Sequence, residues 1–291
     1  IEEKATGEDG KLTFEADLPI GFSYVVKETS PAPGFATTDE VQEFTFTAES
    51  SDKATVSYEF IFEDEPTVFE FTKTSLTDGK EVEGAKLTVT DENGEVVDEW
   101  VSGKEPHIIK ELVVGQTYTM TEVLPAPGYV TAESIQFTVE DTAEVQKIEM
   151  KDDVTKVEIS KTDIAGKELP GAKLTILDEN GEVVESWTST EEPHYIEMLP
   201  IGRYILHEES APEGYLVAED IEFEVKDTGE IQKVVMKDEA APEETPEEPQ
   251  NPVGTDAPKT GDDTNLLFWT ALLGIGLCGT GAAFVMRRKR R

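Results

Sequence analysis

The sequence predicts an all-β protein: tandem β-sandwiches, then a Pro/Glu-rich linker and a single C-terminal transmembrane helix. Three observations carry this. A unit of about 87 residues occurs twice, and part of it a third time. Before residue 262 the apolar residues alternate in short runs bounded by Gly, Pro, Asn and Asp, with no capped helical period. After it comes an uncharged run of 21 residues, Leu266 to Met286, closed by five basic residues.

The repeat is the organising feature. GAKLTVTDENGEVVDEW, from Gly84 to Trp100, returns as GAKLTILDENGEVVESW, from Gly171 to Trp187. Pro106-His107 returns as Pro193-His194. YVVKETSPAPGF, from Tyr24, matches YTMTEVLPAPGY, from Tyr118. A period of this length is a whole small domain rather than a solenoid turn. The expected units are 1–65, the C-terminal part of a truncated domain, then 66–153 and 154–239. The chain starts at Ile1 without a methionine or a signal-peptide pattern, and is read as a piece of something longer.

Within each unit, runs such as VEISK, KLTIL and IEFEV read as strands, and two sheets packed face to face suit their spacing. Asn93-Gly94 and Asn180-Gly181 lie between such runs and predict hairpins. The surrounding DENGE resembles a calcium loop only in part: the later ligands and terminal Glu are missing, so a plain turn is expected. Trp100 and Trp187 are expected in the core. Pro106-His107 and Pro193-His194 are expected to start loops rather than to bind metal, since neither has a second histidine at ligand spacing.

Composition narrows the function. The 291 residues hold 63 Asp+Glu against 25 Lys+Arg, a formal net charge of −38, which excludes a general nucleic-acid binder. The one cysteine, Cys278, allows no disulfide within the chain. No G-x-S-x-G, H-E-x-x-H or phosphate-cradling glycine motif is present, and no metal or cofactor is expected.

Ionisable residues continue several apolar rows. Residues two apart share a strand face, so Lys161 follows Val157 and Ile159 inward. Glu208 likewise follows Tyr204 and Leu206, and Asp238 follows Val234 and Met236. The preceding unit repeats this with Lys73 after Phe69 and Phe71, Glu122 after Tyr118 and Met120, and Asp152 after Ile148 and Met150. The first unit has Glu28 after Tyr24 and Val26, and Asp64 after Phe60 and Phe62; its lysine would lie before Ile1. A buried charge is costly unless paired or neutralised. Burial favours the neutral, nucleophilic amine and the protonated acid. Such an amine can attack such an acid if a second carboxyl moves the protons, and the product is an amide.

KTDIAGKELPGAKL from Lys161, EESAPEGY from Glu208 and VVMKD ending at Asp238 resemble the Cna B-type domains, also called SpaA-type or prealbumin-like, an Ig-like sandwich of Gram-positive adhesins and pilins. The resemblance spans about residues 1–239. It implies isopeptide bonds from Lys73 to Asp152 and from Lys161 to Asp238, promoted by Glu122 and Glu208, with Glu28 and Asp64 as the incomplete first set. Asn is the commoner acceptor in that family. With Asp, water leaves instead of ammonia, and an unreacted ion pair stays open. The reaction is a single self-modification, so the domains are not expected to be enzymes.

Residues 240–258 hold five prolines among glutamates, a composition suited to an extended spacer. Leu266 to Met286 as a helix would be roughly 31 Å long, enough to cross a bilayer core. The basic tail Arg287 to Arg291 would stay cytoplasmic. Just upstream stand Ala257, Pro258, Lys259, Thr260 and Gly261. Motif, span and tail in this order resemble the Leu-Pro-x-Thr-Gly cell-wall sorting signal, with Ala257 in the leucine position. The resemblance implies that a sortase cleaves after Thr260 and joins it to peptidoglycan, so that 240–261 is wall spacer plus motif and 262–291 is membrane helix plus tail. The chain is then expected outside the cell on the wall, with a membrane-bound precursor. Three roles follow from the resemblances: the stalk of an adhesin, a minor or basal pilin subunit, or the anchor region of a secreted enzyme or ligand-binding adhesin. Partners beyond sortase and peptidoglycan would be host matrix proteins or other pilin subunits.

Overall fold

The computed structural model describes residues 2–45, 47 and 57–242, and every regular element among them is a β-strand. In the first unit β1 (Ser23–Lys27) pairs antiparallel with β2 (Val41–Thr45). The second unit contains β3 (Val68–Ser75), β4 (Lys86–Thr90), β5 (Val96–Val101), β6 (His107–Lys110), β7 (Thr117–Leu124), β8 (Ile135–Thr138) and β9 (Val145–Asp152). They form two sheets, β6-β3-β9 and β5-β4-β7-β8. The third unit repeats the plan with β10 (Lys156–Asp163), β11 (Lys173–Leu177), β12 (Val183–Thr188), β13 (His194–Glu197), β14 (Gly202–Ser210), β15 (Ile221–Val225) and β16 (Ile231–Asp238). Its sheets are β13-β10-β16 and β12-β11-β14-β15.

The inward faces interdigitate between the sheets. Phe69 and Phe71 of β3 meet Leu87, Met120 and Phe137 from the facing sheet, and Val157 and Ile159 of β10 meet Leu174 and Leu206. First and last strands of each sandwich are parallel neighbours: β3 runs beside β9 from Val68↔Val145 to Ser75↔Asp152, and β10 beside β16 from Lys156↔Ile231 to Asp163↔Asp238. A parallel pair needs a long crossover, and here the rest of the domain supplies it.

The β4–β5 connection is longer than a two-residue hairpin. Asp91 Oδ1 accepts the N–H groups of Asn93 and Glu95, and Gly94 takes the left-handed φ of 82° that closes the turn. These donors hold the Asp91 carboxyl below its usual range, and Asp178 is held in the same way by Asn180 and Glu182. Among the described residues no group of acidic, His or Cys side chains is arranged to hold a metal ion.

Trp100 and Trp187 pack against the cores but are only half-buried. His107 opens β6 instead of starting a loop, and its ring stacks on Trp100 with centroids 4.3 Å apart. Its Nε2 lies 2.8 Å from Asp98 Oδ2. Trp187, His194 and Glu185 repeat the cluster, with a 4.3 Å stack and a 2.7 Å contact. Since β5 and β6 are edge strands of opposite sheets, the pair closes the sandwich margin. The histidines therefore do something other than the sequence reading assigned, while the tryptophans line the core from its edge.

Consecutive sandwiches meet through a repeated joint. Thr67 and Thr155 are buried linker residues; their N–H groups donate to Gly34 O and Gly128 O, and their hydroxyls to Leu112 O and Leu199 O. Gly34 and Gly128 press against Glu111 and Met198, the two non-glycine residues with left-handed φ among those described, at 65° and 63°. Across the first joint Thr37 N–H donates to Asp141 Oδ1 at 2.8 Å, and across the second Thr131 N–H donates to Asp227 Oδ1 at 2.8 Å.

Candidate functional site

Each complete sandwich has one lysine and two carboxylates sealed inside it. Lys73 is on β3 and Asp152 at the end of the neighbouring β9, while Glu122 reaches in from β7 of the opposite sheet. All three follow the period-2 alternation of their strands, so burying the apolar rows buries them too. Their relative exposures are 2%, 0% and 4%. Lys161, Asp238 and Glu208 occupy the same places on β10, β16 and β14, at 1% each.

The contacts match between the two sandwiches. Lys73 Nζ donates to Asp152 Oδ1, and Lys161 Nζ to Asp238 Oδ1. Glu122 Oε1 lies 3.1 Å from Lys73 Nζ, and Glu208 Oε1 lies 2.9 Å from Lys161 Nζ. Both distances suit an ion pair, and neither Oε1 forms a hydrogen bond. The second glutamate oxygen is held from outside: Ala132 N–H donates to Glu122 Oε2 at 2.6 Å, and Ala218 N–H to Glu208 Oε2 at 2.7 Å. Asp152 Oδ2 and Asp238 Oδ2 are buried without a hydrogen bond. Two carboxyl groups thus share one amine in each core, all of them buried.

The electrostatics follow. Burial pushes the Asp152 carboxyl up to about 6; Lys73 opposes this, and the neighbouring Glu122 adds a smaller push upward. Asp238 is raised for the same reasons, burial first. Such a carboxyl is readily protonated, as attack by an amine requires.

The SpaA prealbumin-like fold domain matches this chain three times, over residues 1–59, 67–154 and 155–240. The chain belongs to that family. No curated protein sequence matches it. Solved structures similar to it include the TIE protein of Bacillus anthracis, at 29% identity and a TM-score of 0.45. That match covers 76% of this chain and 42% of the other, so this chain spans less than half of that relative. The shaft pilin SpaA of Lactobacillus rhamnosus GG is 11% identical, with a TM-score of 0.30 over 60% of this chain and 98% of the pilin. The minor pilin of Streptococcus agalactiae is 12% identical, with a TM-score of 0.30 over 64% and 100%.

The first SpaA-type unit differs from the other two. Thr38 N–H donates to Glu28 Oε2 at 2.9 Å, which reproduces the glutamate's outer anchor. Asp64 Oδ1 is buried and has no hydrogen bond among the described residues. The row Phe60, Phe62, Asp64 keeps its alternation but forms no strand. In the complete SpaA-type domains this segment is laddered to the lysine strand, and the described residues of the first unit contain no such strand. The sorting residues Ala257, Pro258, Lys259, Thr260 and Gly261, and the apolar run Leu266 to Met286, lie outside the described residues. Among the described residues no helix is long and apolar enough to cross a membrane.

The raised Asp152 makes a pH prediction for the unlinked domain. In Glu122→Ala the neighbouring carboxyl is gone and Asp152 keeps its burial. An aspartate whose folded value exceeds its unfolded value binds its proton more tightly when folded. Its stabilising contribution is full below the ordinary value of 3.8 and is lost as pH rises through the raised folded value, which burial sets first. Denaturant unfolding of this variant is expected to show the second sandwich less stable at pH 7 than at pH 4.

Proposed function

We propose that the chain is the structural stalk of a sortase-anchored cell-surface protein, with sandwiches self-cross-linked from Lys73 to Asp152 and from Lys161 to Asp238. One observation supports this above the others: in both complete domains the lysine amine touches the aspartate carboxyl inside a dry core, with a glutamate about 3 Å from the amine. In the proposed step the ammonium first gives a proton to the aspartate, and the neutral amine then attacks Cγ of the protonated acid, forming the C–N bond. The glutamate takes a proton from nitrogen and passes it to the departing oxygen, which leaves as water. The ion pair becomes an amide and two buried charges vanish, which relieves the desolvation cost of keeping them. The sequence pattern at Ala257 to Gly261 and beyond supports wall attachment through Thr260, and the acidic, Pro-rich spacer suits passage through the wall.

The intact mass of the full chain tests the cross-links. Loss of two waters relative to the sequence is expected; an unchanged mass refutes them. Family membership favours a second reading, a minor or basal pilin subunit joined to others by sortase. A high-mass ladder in wall fractions would select it over the simple stalk.

A further inference from the structure

The loop that holds each glutamate also forms part of the joint to the next domain. Ala132 N–H fixes Glu122 Oε2 from within. The preceding N–H, that of Thr131, donates outward to Asp227 of the following sandwich. The same two consecutive donors recur one domain earlier: Thr38 N–H holds Glu28, and Thr37 N–H and hydroxyl donate to Asp141 at 2.8 and 2.7 Å. The loop's other end is held alike in both complete domains: Gly128 O accepts from Thr155 N–H and Val130 N–H donates to Asp153 O, as Gly214 O accepts from Ala241 N–H and Leu216 N–H donates to Glu239 O, so only the outward Thr131 bond differs. The third sandwich supplies the contrast. Ala218 N–H holds Glu208, but the preceding residue is the exposed Val217, whose N–H has no acceptor among the described residues.

We propose that Asp227 is a positioning residue acting across the domain boundary: by holding the loop Gly128 to Ala132 it orients Glu122, so docking of the third sandwich accelerates cross-linking in the second. Asp141 stands in the same relation to Glu28. The inference rests on the cross-link reading above. A glutamate that must approach both the amine and the departing oxygen needs a fixed carboxylate plane. One of its two oxygens is anchored by a loop N–H, so the stiffness of that loop sets the plane. The third sandwich does without this aid and is the built-in reference.

The test follows both cross-links over time after cell-free synthesis of the full chain, scoring the linked Lys73–Asp152 and Lys161–Asp238 peptides separately. Asp227→Ala is expected to slow the first link about tenfold, within the usual range of coupling between sites, and to leave the second unchanged. Asp227→Asn keeps the Oδ1 acceptor and is expected to restore most of the rate, which a general loss of packing would not predict. Unchanged kinetics of the first link in Asp227→Ala, or equal slowing by Ala and Asn, overturns the positioning role. A parent chain that loses no water in either domain overturns the cross-link reading and this inference with it. Amide exchange at Ala132 in a Lys73→Ala chain, where no link can form, reads the loop directly. Faster exchange on adding Asp227→Ala supports the coupling; no change overturns it.

Discussion

Glu208→Ala is expected to leave the third sandwich unlinked and to lower its stability by about 4–5 kcal/mol, the chain-entropy value for closing a loop of this length. Lys161 and Asp238 are 77 apart in sequence, so nearly the whole domain would lie inside the loop. The Lys161–Asp238 contact would remain as a buried ion pair, and such pairs roughly break even against their desolvation. For a domain of this size the midpoint should fall by roughly 20–35 °C. Domain-resolved hydrogen exchange should show β10 and β16 opening early while β3 and β9 stay protected. Equal protection of both domains in the variant would show that the glutamate has no such role.

Gly128→Ala should separate consecutive sandwiches without unfolding either. Its φ is +85°, and an added Cβ would lie 2.5 Å from Met198 O and 2.9 Å from Met198 Cα. Both are backbone atoms, and Met198 is itself held in a left-handed conformation, so neither side can yield cheaply. Left-handed strain of about 1–2 kcal/mol adds to overpacking of about 1–3 kcal/mol. Gly214 has the same φ of +85° with open space around it, so Gly214→Ala should cost the strain alone. Exchange at the Thr155 and Met198 amides, with small-angle scattering for end-to-end length, would compare the two. Equal behaviour would mean that the joint does not depend on this close approach.

The sequence made the buried triads legible because a strand has a period of two. Once Phe69 and Phe71 point inward, Lys73 must follow, and the repeat places Lys161 identically. Glutamates and aspartates were legible in the same way, including Asp64, where the described residues hold no ladder. Other features were hidden for specific reasons. The Trp100–His107 stack joins two edge strands of opposite sheets, and alternation within one strand says nothing about which edges meet. The joints depend on left-handed backbone at Glu111 and Met198, residue types that give no warning of it. Their signal lies in the repeats: Thr67 and Thr155 stand at matching linker positions where the last unit has Ala241. Thr37 and Thr131 likewise correspond to Val217. The threonines are present where another sandwich follows.

The parallel pairing of first and last strands has a mechanical consequence. A pull on the ends of the second sandwich enters at the start of β3 and leaves at the end of β9, at opposite ends of one ladder. Its eight residue pairs are then loaded in shear, all at once, rather than peeled in turn. With Lys73 joined to Asp152, 79 positions further along the chain, the stretch between them is shielded from load and adds no length. Without the link the same stretch could unravel by roughly 270 Å at about 3.4 Å per residue. The bond would therefore decide whether each domain behaves as an inextensible link or as a spring that yields once.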